Sequence, residues 1–373
     1  MKRIIEPLIK TDLQSKLVLL SGPRQTGKTT LSKQLFPSYD YLNFDAVADR
    51  TILQEQAWDR TKDILIFDEL HKMPEWKRWL KGIYDKEGVA VPVLVTGSAQ
   101  MDTYRKVGDS LAGRFFSHRL YPLDMQEAHQ ISGFSDEENF ARLWECSGFP
   151  EPFLKGNRTF YQRWRRSHLD IILRQDLLDL YAIRDIQAIE TLVELLRHRV
   201  GATVSMANLA NDLQKDAKTI QRWLTLLENL YVIFKVTPYH RNVARSLLKE
   251  PKYYFYDWAH IDDEGARLEN LVACALLKKL HHYYDVEGRA GGLHFLRTKD
   301  GREIDFLIVQ DNQPTHLIEV KVGDDQLSKH FKHFIPMFPE AQAIQLVRDL
   351  KRQKTYSDGP AILHLPHWLV SLW

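Results

Sequence analysis

Residues 21–30 read Ser-Gly-Pro-Arg-Gln-Thr-Gly-Lys-Thr-Thr, and from Gly22 to Thr29 they complete the pattern G-x-x-x-x-G-K-T. Glycine at both ends frees the backbone to turn its successive N–H groups toward one anion. The lysine that follows can reach a β/γ-phosphate pair, and the next hydroxyl can bind Mg²⁺. This spacing predicts a cradle for a nucleoside triphosphate, built by Gly22, Pro23, Arg24, Gln25, Thr26, Gly27, Lys28, Thr29 and Thr30. Further on, Ile64-Leu65-Ile66-Phe67 runs into Asp68-Glu69. Asp68 is expected to hold Mg²⁺ through water, and Glu69 to orient and deprotonate an attacking water. Thr96 or Ser98, at the end of Val93-Leu94-Val95, could sense the γ-phosphate or that water; Ser98 also reads as an ordinary helix cap. Arg114 is a candidate finger toward its own nucleotide or a neighbour's, or else a surface arginine in a turn.

The elements that must hold these groups follow from the apolar pattern. Lys16–Leu20 is a short apolar run suited to a buried strand, and Thr30–Leu35 carries apolar residues at helical spacing. Strand, loop and helix in that order aim a helix N-terminus at the anion. Up to about residue 125, apolar runs and helical patterns alternate, with strands expected near 17–21, 40–44, 63–68, 91–96 and 115–120. The expected fold is a parallel sheet flanked by helices.

Gly22–Thr29, Asp68-Glu69-Leu70, Thr96-Gly97-Ser98 and Leu111-Ala112-Gly113-Arg114 resemble the motifs of a prokaryotic group of AAA-type ATPases. The likeness continues through Tyr121-Pro122-Leu123 and Gly148–Pro152 and covers roughly residues 15 to 325. It implies a five-stranded ASCE-type core, ATP as the nucleotide, and a carboxy-terminal region of unknown function.

A boundary is expected in the loop formers and acids of 131–140. Beyond it, 158–180 reads as a helix with Arg163, Arg165, Arg166 and Arg174 outside and Trp164, Leu169, Ile172, Leu173 and Leu177 inside. Those arginines suit a solvated face or a contact to nucleic acid or a second subunit. In 203–250, two short helices flank the turn Gln214–Ala217. Ile220, Trp223, Leu224 and Leu227 fall on one face of the second helix, leaving Lys218, Thr219, Gln221, Arg222 and Thr225 outward. Strand-like Tyr231–Val236 and Lys252–Tyr256 would complete a winged helix. Residues 197–250 hold nine Lys and Arg against four Asp and Glu, a charge suited to double-stranded DNA.

A second constellation lies in Glu303–Val309 and Thr315–Lys321, two β-like arms about a break at Gln310–Pro314. A hairpin pairing Val309 with Thr315 sets Asp305 opposite Glu319, with Cβ atoms about 5 Å apart. Lys321 then shares their face. Two carboxylates and a lysine so placed can hold Mg²⁺ or Mn²⁺ against a phosphodiester. Asp305 and Glu319-Val320-Lys321 resemble the metal aspartate and E-x-K of the PD-(D/E)xK restriction-endonuclease-like superfamily. That resemblance implies Glu269 on the preceding helix as a further acidic member. Ile304 stands where the superfamily's proline would be. A charge-paired hairpin without catalysis is the competing reading.

The divisions expected are 1–130 for the ATPase core, 131–195 for a helical linker or lid, 196–250 for the winged helix and 251–373 for the nuclease-like unit. At 373 residues, 44% hydrophobic and 27% charged, the chain has an ordinary globular composition, and its formal charge of +2 assigns no partner. It lacks an apolar run long enough for a bilayer and a signal-like start, so a cytoplasmic location without membrane contact is expected. Cys146 and Cys274 suggest neither a disulfide framework nor a zinc site, and His281, His282, His330 and His333 lack ligand spacing. The leading expectation is an Mg²⁺-dependent ATPase acting on DNA. The others are an ATP-regulated endonuclease and a switch that binds protein partners. A finger working in trans would require a homo-oligomer.

Overall fold

Five short strands form the first sheet: β1 (Leu17–Ser21), β2 (Tyr39–Asn43), β3 (Ile64–Asp68), β4 (Val93–Gly97) and β5 (Phe115–Arg119). All pair in parallel, in the order β2-β3-β4-β1-β5. Strands buried along their whole length (β1, β3, β4) take the centre, and the partly exposed β2 and β5 take the edges. Alternation along β1 divides the core: Leu17 and Leu19 pack with Phe67, Trp58 and Leu80, whereas Val18 and Leu20 pack with Ile66, Ile9 and Leu31. Helices α1 (Glu6–Asp12), α2 (Lys28–Gln34), α3 (Val47–Glu55) and α4 (Trp76–Glu87) flank it. The five strands fall where the sequence places them.

This structure, a computed structural model, describes residues 2–88, 91–98, 111–177, 185–240, 249–356 and 359–372. Residues 178–180 of the expected basic helix, and 241–248 between the two strands of the expected wing, lie outside the described residues.

A helical stretch follows: α5 (Met125–Ile131), α6 (Asp136–Cys146), α7 (Pro150–Lys155), α8 (Arg158–Ile171) and α9 (Ile186–Arg197). The basic helix α8 runs into a π turn at Ile172–Asp176. Two of its four arginines face carboxylates of this chain: Arg165 lies 3.7 Å from Glu194, and Arg174 lies 3.6 Å from Asp170. Next come α10 (Met206–Leu213) and α11 (Ala217–Asn229), each started by a side-chain cap, Ser205 on the Asn208 N–H and Asp216 on the Thr219 N–H. Ile220, Trp223, Leu224 and Leu227 are buried, while Lys218, Gln221, Arg222 and Thr225 are exposed.

The second sheet has eight strands: β6 (Ile233–Pro238), β7 (Lys252–Phe255), β8 (Gly291–Arg297), β9 (Glu303–Gln310), β10 (Gln313–Lys321), β11 (Gln342–Val347), β12 (Lys354–Thr355) and β13 (Ala361–His364). Their order is β12-β13-β11-β10-β9-β8-β6-β7. The helix α12 (Glu264–His282) precedes β8, α13 (Phe331–Phe334) joins β10 to β11, and α14 (Leu365–Val370) follows β13. The strands expected as a wing, β6 and β7, pair antiparallel, but β6 also pairs with β8 through Thr237 and Pro238. They form the edge of this sheet, not a free ribbon. One hydrophobic core runs from Tyr121 through α8–α11 to Leu372. No described helix is long and apolar enough to cross a membrane.

Candidate nucleotide site and carboxylate cluster

At the carboxyl end of β1 the chain turns through Gly22 at φ +148°, where a Cβ would lie 2.3 Å from the Leu120 carbonyl oxygen. That contact is why glycine is needed there. The loop crosses Gln25 and Gly27 in left-handed conformations and delivers Lys28 and Thr29 to the first turn of α2. Lys28 is buried, with Nζ 2.9 Å from the Gly22 carbonyl oxygen and 2.7 Å from that of Pro23. The Thr29 hydroxyl donates to Asp68 Oδ2 at 2.9 Å, bringing together the two side chains expected at Mg²⁺. Those oxygens fit a hard cation, and they are the residues that would hold it.

Asp68 is fixed from three further sides. The Tyr41 phenol donates to Oδ2 at 2.6 Å, the Thr96 hydroxyl donates to Oδ1, and the Glu69 N–H reaches Oδ1 at 3.1 Å. Glu69 leaves the strand at φ +55°, a strained conformation for a side chain of its size. The Ser98 hydroxyl donates to Glu69 Oε2 at 3.2 Å. Thr96 therefore supports Asp68, and Ser98 is the residue that faces Glu69. Burial pushes the Glu69 carboxyl above its usual range, Lys28 opposes this, and Asp68 adds to it. A carboxylate made more basic in this way suits proton abstraction from water.

Arg114 lies elsewhere. Its carbonyl accepts the Leu17 N–H at the start of β1, so the length of that strand, roughly 17 Å, separates it from Gly22. Its Nε donates to Asp85 on α4 at 2.8 Å. The cis alternative for this arginine is therefore corrected: it sits at the opposite end of the sheet from its own phosphate loop.

The rear of the molecule meets this site directly. His168 on α8 stacks on Trp164, with ring centroids 4.6 Å apart, and its Nδ1 lies 2.9 Å from Gln25 Oε1. Burial, and then the charges of Arg24 and Lys28, lower the His168 imidazole to about 3, which keeps it neutral. Buried Arg3 donates to Glu127 Oε1 at 2.6 Å, to the Thr26 carbonyl at 2.8 Å and to the Tyr121 carbonyl at 2.7 Å. Lys278 on α12 donates to the other oxygen of Glu127 at 2.7 Å.

In the second sheet the hairpin is tighter than expected. Asp311 and Asn312, at φ +50° and +65°, form a two-residue turn closed by the pair Gln310 and Gln313. Val309 consequently opposes Pro314 instead of Thr315, and a bulge after Pro314 restores the expected frame from Ile308 opposite His316 onward. Asp305 Oδ2 accepts the Val320 N–H at 2.8 Å, and Lys321 Nζ lies 2.8 Å from Glu319 Oε1. Glu269 on α12 joins the group. Its carboxyl is pushed up to about 7 by burial and then by the Asp305 charge; Glu319 is pushed up to about 7 for the same reasons. Glu269, Asp305, Glu319 and Lys321 thus converge.

A cation already faces them. Lys252, buried at the start of β7, places Nζ 3.0 Å from Glu269 Oε1 and 2.5 Å from Glu303 Oε1. Among the described residues, no group of three or more His, Cys, Asp or Glu side chains is arranged to hold a metal ion. Lys252 therefore contests the place at which Mg²⁺ or Mn²⁺ is expected beside Asp305 and Glu319.

The sequence reading missed Tyr41, Glu127, His168, Lys252 and Glu303 as members of these sites. Lys252 alone carried a signal, being a charge directly heading the aromatic run Tyr253-Tyr254-Phe255.

Residues 14–129 match a family model described as an AAA domain, and residues 137–260 and 264–368 match two described as domains of unknown function, DUF8612 and DUF4143. The uncharacterized protein Rv2008c of Mycobacterium tuberculosis is 28% identical over 320 residues, covering 76% of this chain and 71% of its own length. The uncharacterized protein MJ1544 of Methanocaldococcus jannaschii is 23% identical over 355 residues, covering 84% and 77%. Among solved structures, the ORC1 protein of Aeropyrum pernix in complex with DNA aligns at TM-score 0.36 and 12% identity, over 75% of this chain and 95% of that one. RuvB of Thermotoga maritima aligns at TM-score 0.32 and 16% identity, over 66% and 94%. Likeness at that level carries no argument about function. Residues 14–129, which match the AAA domain model, hold the phosphate loop, the acidic strand end and the five-stranded parallel sheet in one unit.

Proposed function

We propose that this protein is an Mg²⁺-dependent ATPase whose rear half binds double-stranded DNA. The observation that carries the hydrolytic part is the meeting of Thr29 and Asp68 at 2.9 Å, with Glu69 and Ser98 beside them. Thr29 and Asp68 would hold Mg²⁺, which supplies charge neutralisation on the β- and γ-phosphates. Lys28 and the loop N–H groups bind the polyphosphate. Glu69, kept basic by burial and oriented by Ser98, takes the proton of the attacking water. For Arg114 two readings remain, a finger toward a neighbouring copy, which would require an oligomer, and a surface arginine held by Asp85. Phosphate release with ATP and Mg²⁺ tests this: Lys28→Ala is expected to lose nucleotide binding, and unchanged turnover in that variant sinks the reading.

Support for DNA contact is the exposed face of α11, where Lys218, Gln221, Arg222 and Thr225 stand over a fully apolar inner face. Binding that does not tighten as salt is lowered would favour a protein partner instead.

An ATP-regulated endonuclease is the second reading. One observation favours it: Glu319 Oε2 is buried without a hydrogen-bond partner, beside Asp305 and Lys321. It requires an exogenous cation at a place that Lys252 contests. Supercoiled plasmid incubated with Mn²⁺ must be cut by the native chain and left intact by Asp305→Ala for this reading to stand.

A further inference from the structure

Lys252 is unusual in being a wholly buried ammonium in a strand of aromatic residues. Its Nζ bridges carboxylates of two elements, Glu269 of α12 and Glu303 of β9, and lies 5.3 Å from the Phe295 ring centroid. Most of the acceptors are taken by protein donors, Glu319 Oε2 being the buried exception. Glu269 Oε1 also takes the Tyr254 hydroxyl at 2.5 Å, and a Cβ on Gly201 would lie 2.9 Å from Glu269 Oε2. Glu303 also meets Arg297 at 3.3 Å, Asp305 takes the Val320 N–H, and Glu319 takes Lys321. Four carboxylates therefore meet three basic side chains, all from this chain. Mg²⁺ and Mn²⁺ need several oxygen ligands at short distance and keep part of their water shell. A buried ammonium paired with Glu269 and Glu303, and acting on the charge of Asp305, takes part of that room and repels a second cation.

We infer that Lys252 is the resident counter-cation of the Glu269–Glu303–Asp305–Glu319 cluster, so that this pocket takes no divalent metal and acts as an ion-paired joint. The joint ties β7, whose Lys252 also bridges Thr203 just after α9, to α12 and β9. It fastens α12 to the eight-stranded sheet. This inference is independent of the ATPase reading.

The test is Mn²⁺ titration of the full-length, nucleotide-free chain, followed by electron paramagnetic resonance of free Mn²⁺. An Asp68→Asn background removes the carboxylate that would hold Mn²⁺ at the phosphate loop. With Lys252 present, no site that Asp305→Asn abolishes is expected up to millimolar Mn²⁺. Lys252→Gln is expected to gain such a site, at least tenfold tighter, and adding Asp305→Asn should remove it. A site in the Lys252-containing chain that weakens tenfold or more with Asp305→Asn overturns the inference. So does a folded Lys252→Gln chain, judged by circular dichroism, that gains no site. Should that variant not fold, the titration of the Lys252-containing chain decides alone: no Asp305-dependent site supports the inference, and such a site rejects it.

Discussion

Tyr231 donates its phenolic hydrogen to Ser21 Oγ at 3.0 Å, joining residues 210 positions apart. Ser21 ends β1 immediately before the phosphate loop, and Tyr231 stands between α11 and β6 at φ +55°. Tyr231 also packs edge-on against Tyr121 and Tyr256, with centroids 6.3 and 5.5 Å apart. The residue that leads into the phosphate loop thus touches the segment that follows α11. Tyr231→Phe removes the bond and keeps the ring, so a loss of about 1–2 kcal/mol in stability is expected. Urea unfolding should show a lower midpoint at an unchanged slope.

Glu69→Gln is expected to slow steady-state phosphate release by about 10²–10⁴ while ATP binding persists. Because burial raises the Glu69 carboxyl, its basic form disappears at a higher pH than for an exposed glutamate. Native turnover should therefore fall as pH drops through that raised value. The variant should lack this acidic limb, and a limb common to both would assign it to another group.

Glu127 sits between Arg3 and Lys278, all three tied across the junction of the two halves. Burial raises its carboxyl, but Arg3 and then Lys278 outweigh this and hold it far below the usual range. With a depressed value, its stabilisation is complete above the unfolded carboxylate pKa of about 4.3 and is lost as pH falls toward the native value. Glu127→Gln should cost about 3–5 kcal/mol at pH 7, because two buried cations lose their anion. The gap between native and variant should shrink below pH 4, which denaturant midpoints at pH 7 and pH 3 would reveal.

Lys218→Ala and Arg222→Ala should each lower the salt slope of duplex binding by about 0.9, with weakening common to all sequences if the contact is to phosphate. Fluorescence anisotropy at several salt concentrations measures both. A loss confined to one sequence would place the side chain on a base edge instead.

What the sequence disclosed follows a physical division. Gly22–Thr29 and Asp68-Glu69 were legible because each is a local run whose chemistry depends on neighbours in the chain. The frame from Ile308 opposite His316 to Phe306 opposite Ile318 was legible because strand alternation and one turn determine it, although the turn itself is shorter than its composition suggests. Lys252 facing Glu269, Arg3 facing Glu127, and Tyr41 facing Asp68 are meetings between separate elements, and no periodicity reports those. Arg114 shows a limit of another kind. Its type suits a finger, but only the direction of β5 reveals which end of the sheet it occupies.

The parallel pairing of β6 with β8 has a mechanical consequence. A module hung on a flexible tether can reorient alone, but α10 and α11 are grafted through β6 onto the broad second sheet. A push from the phosphate loop through Tyr231 or His168 would therefore act on that sheet as well as on the two helices.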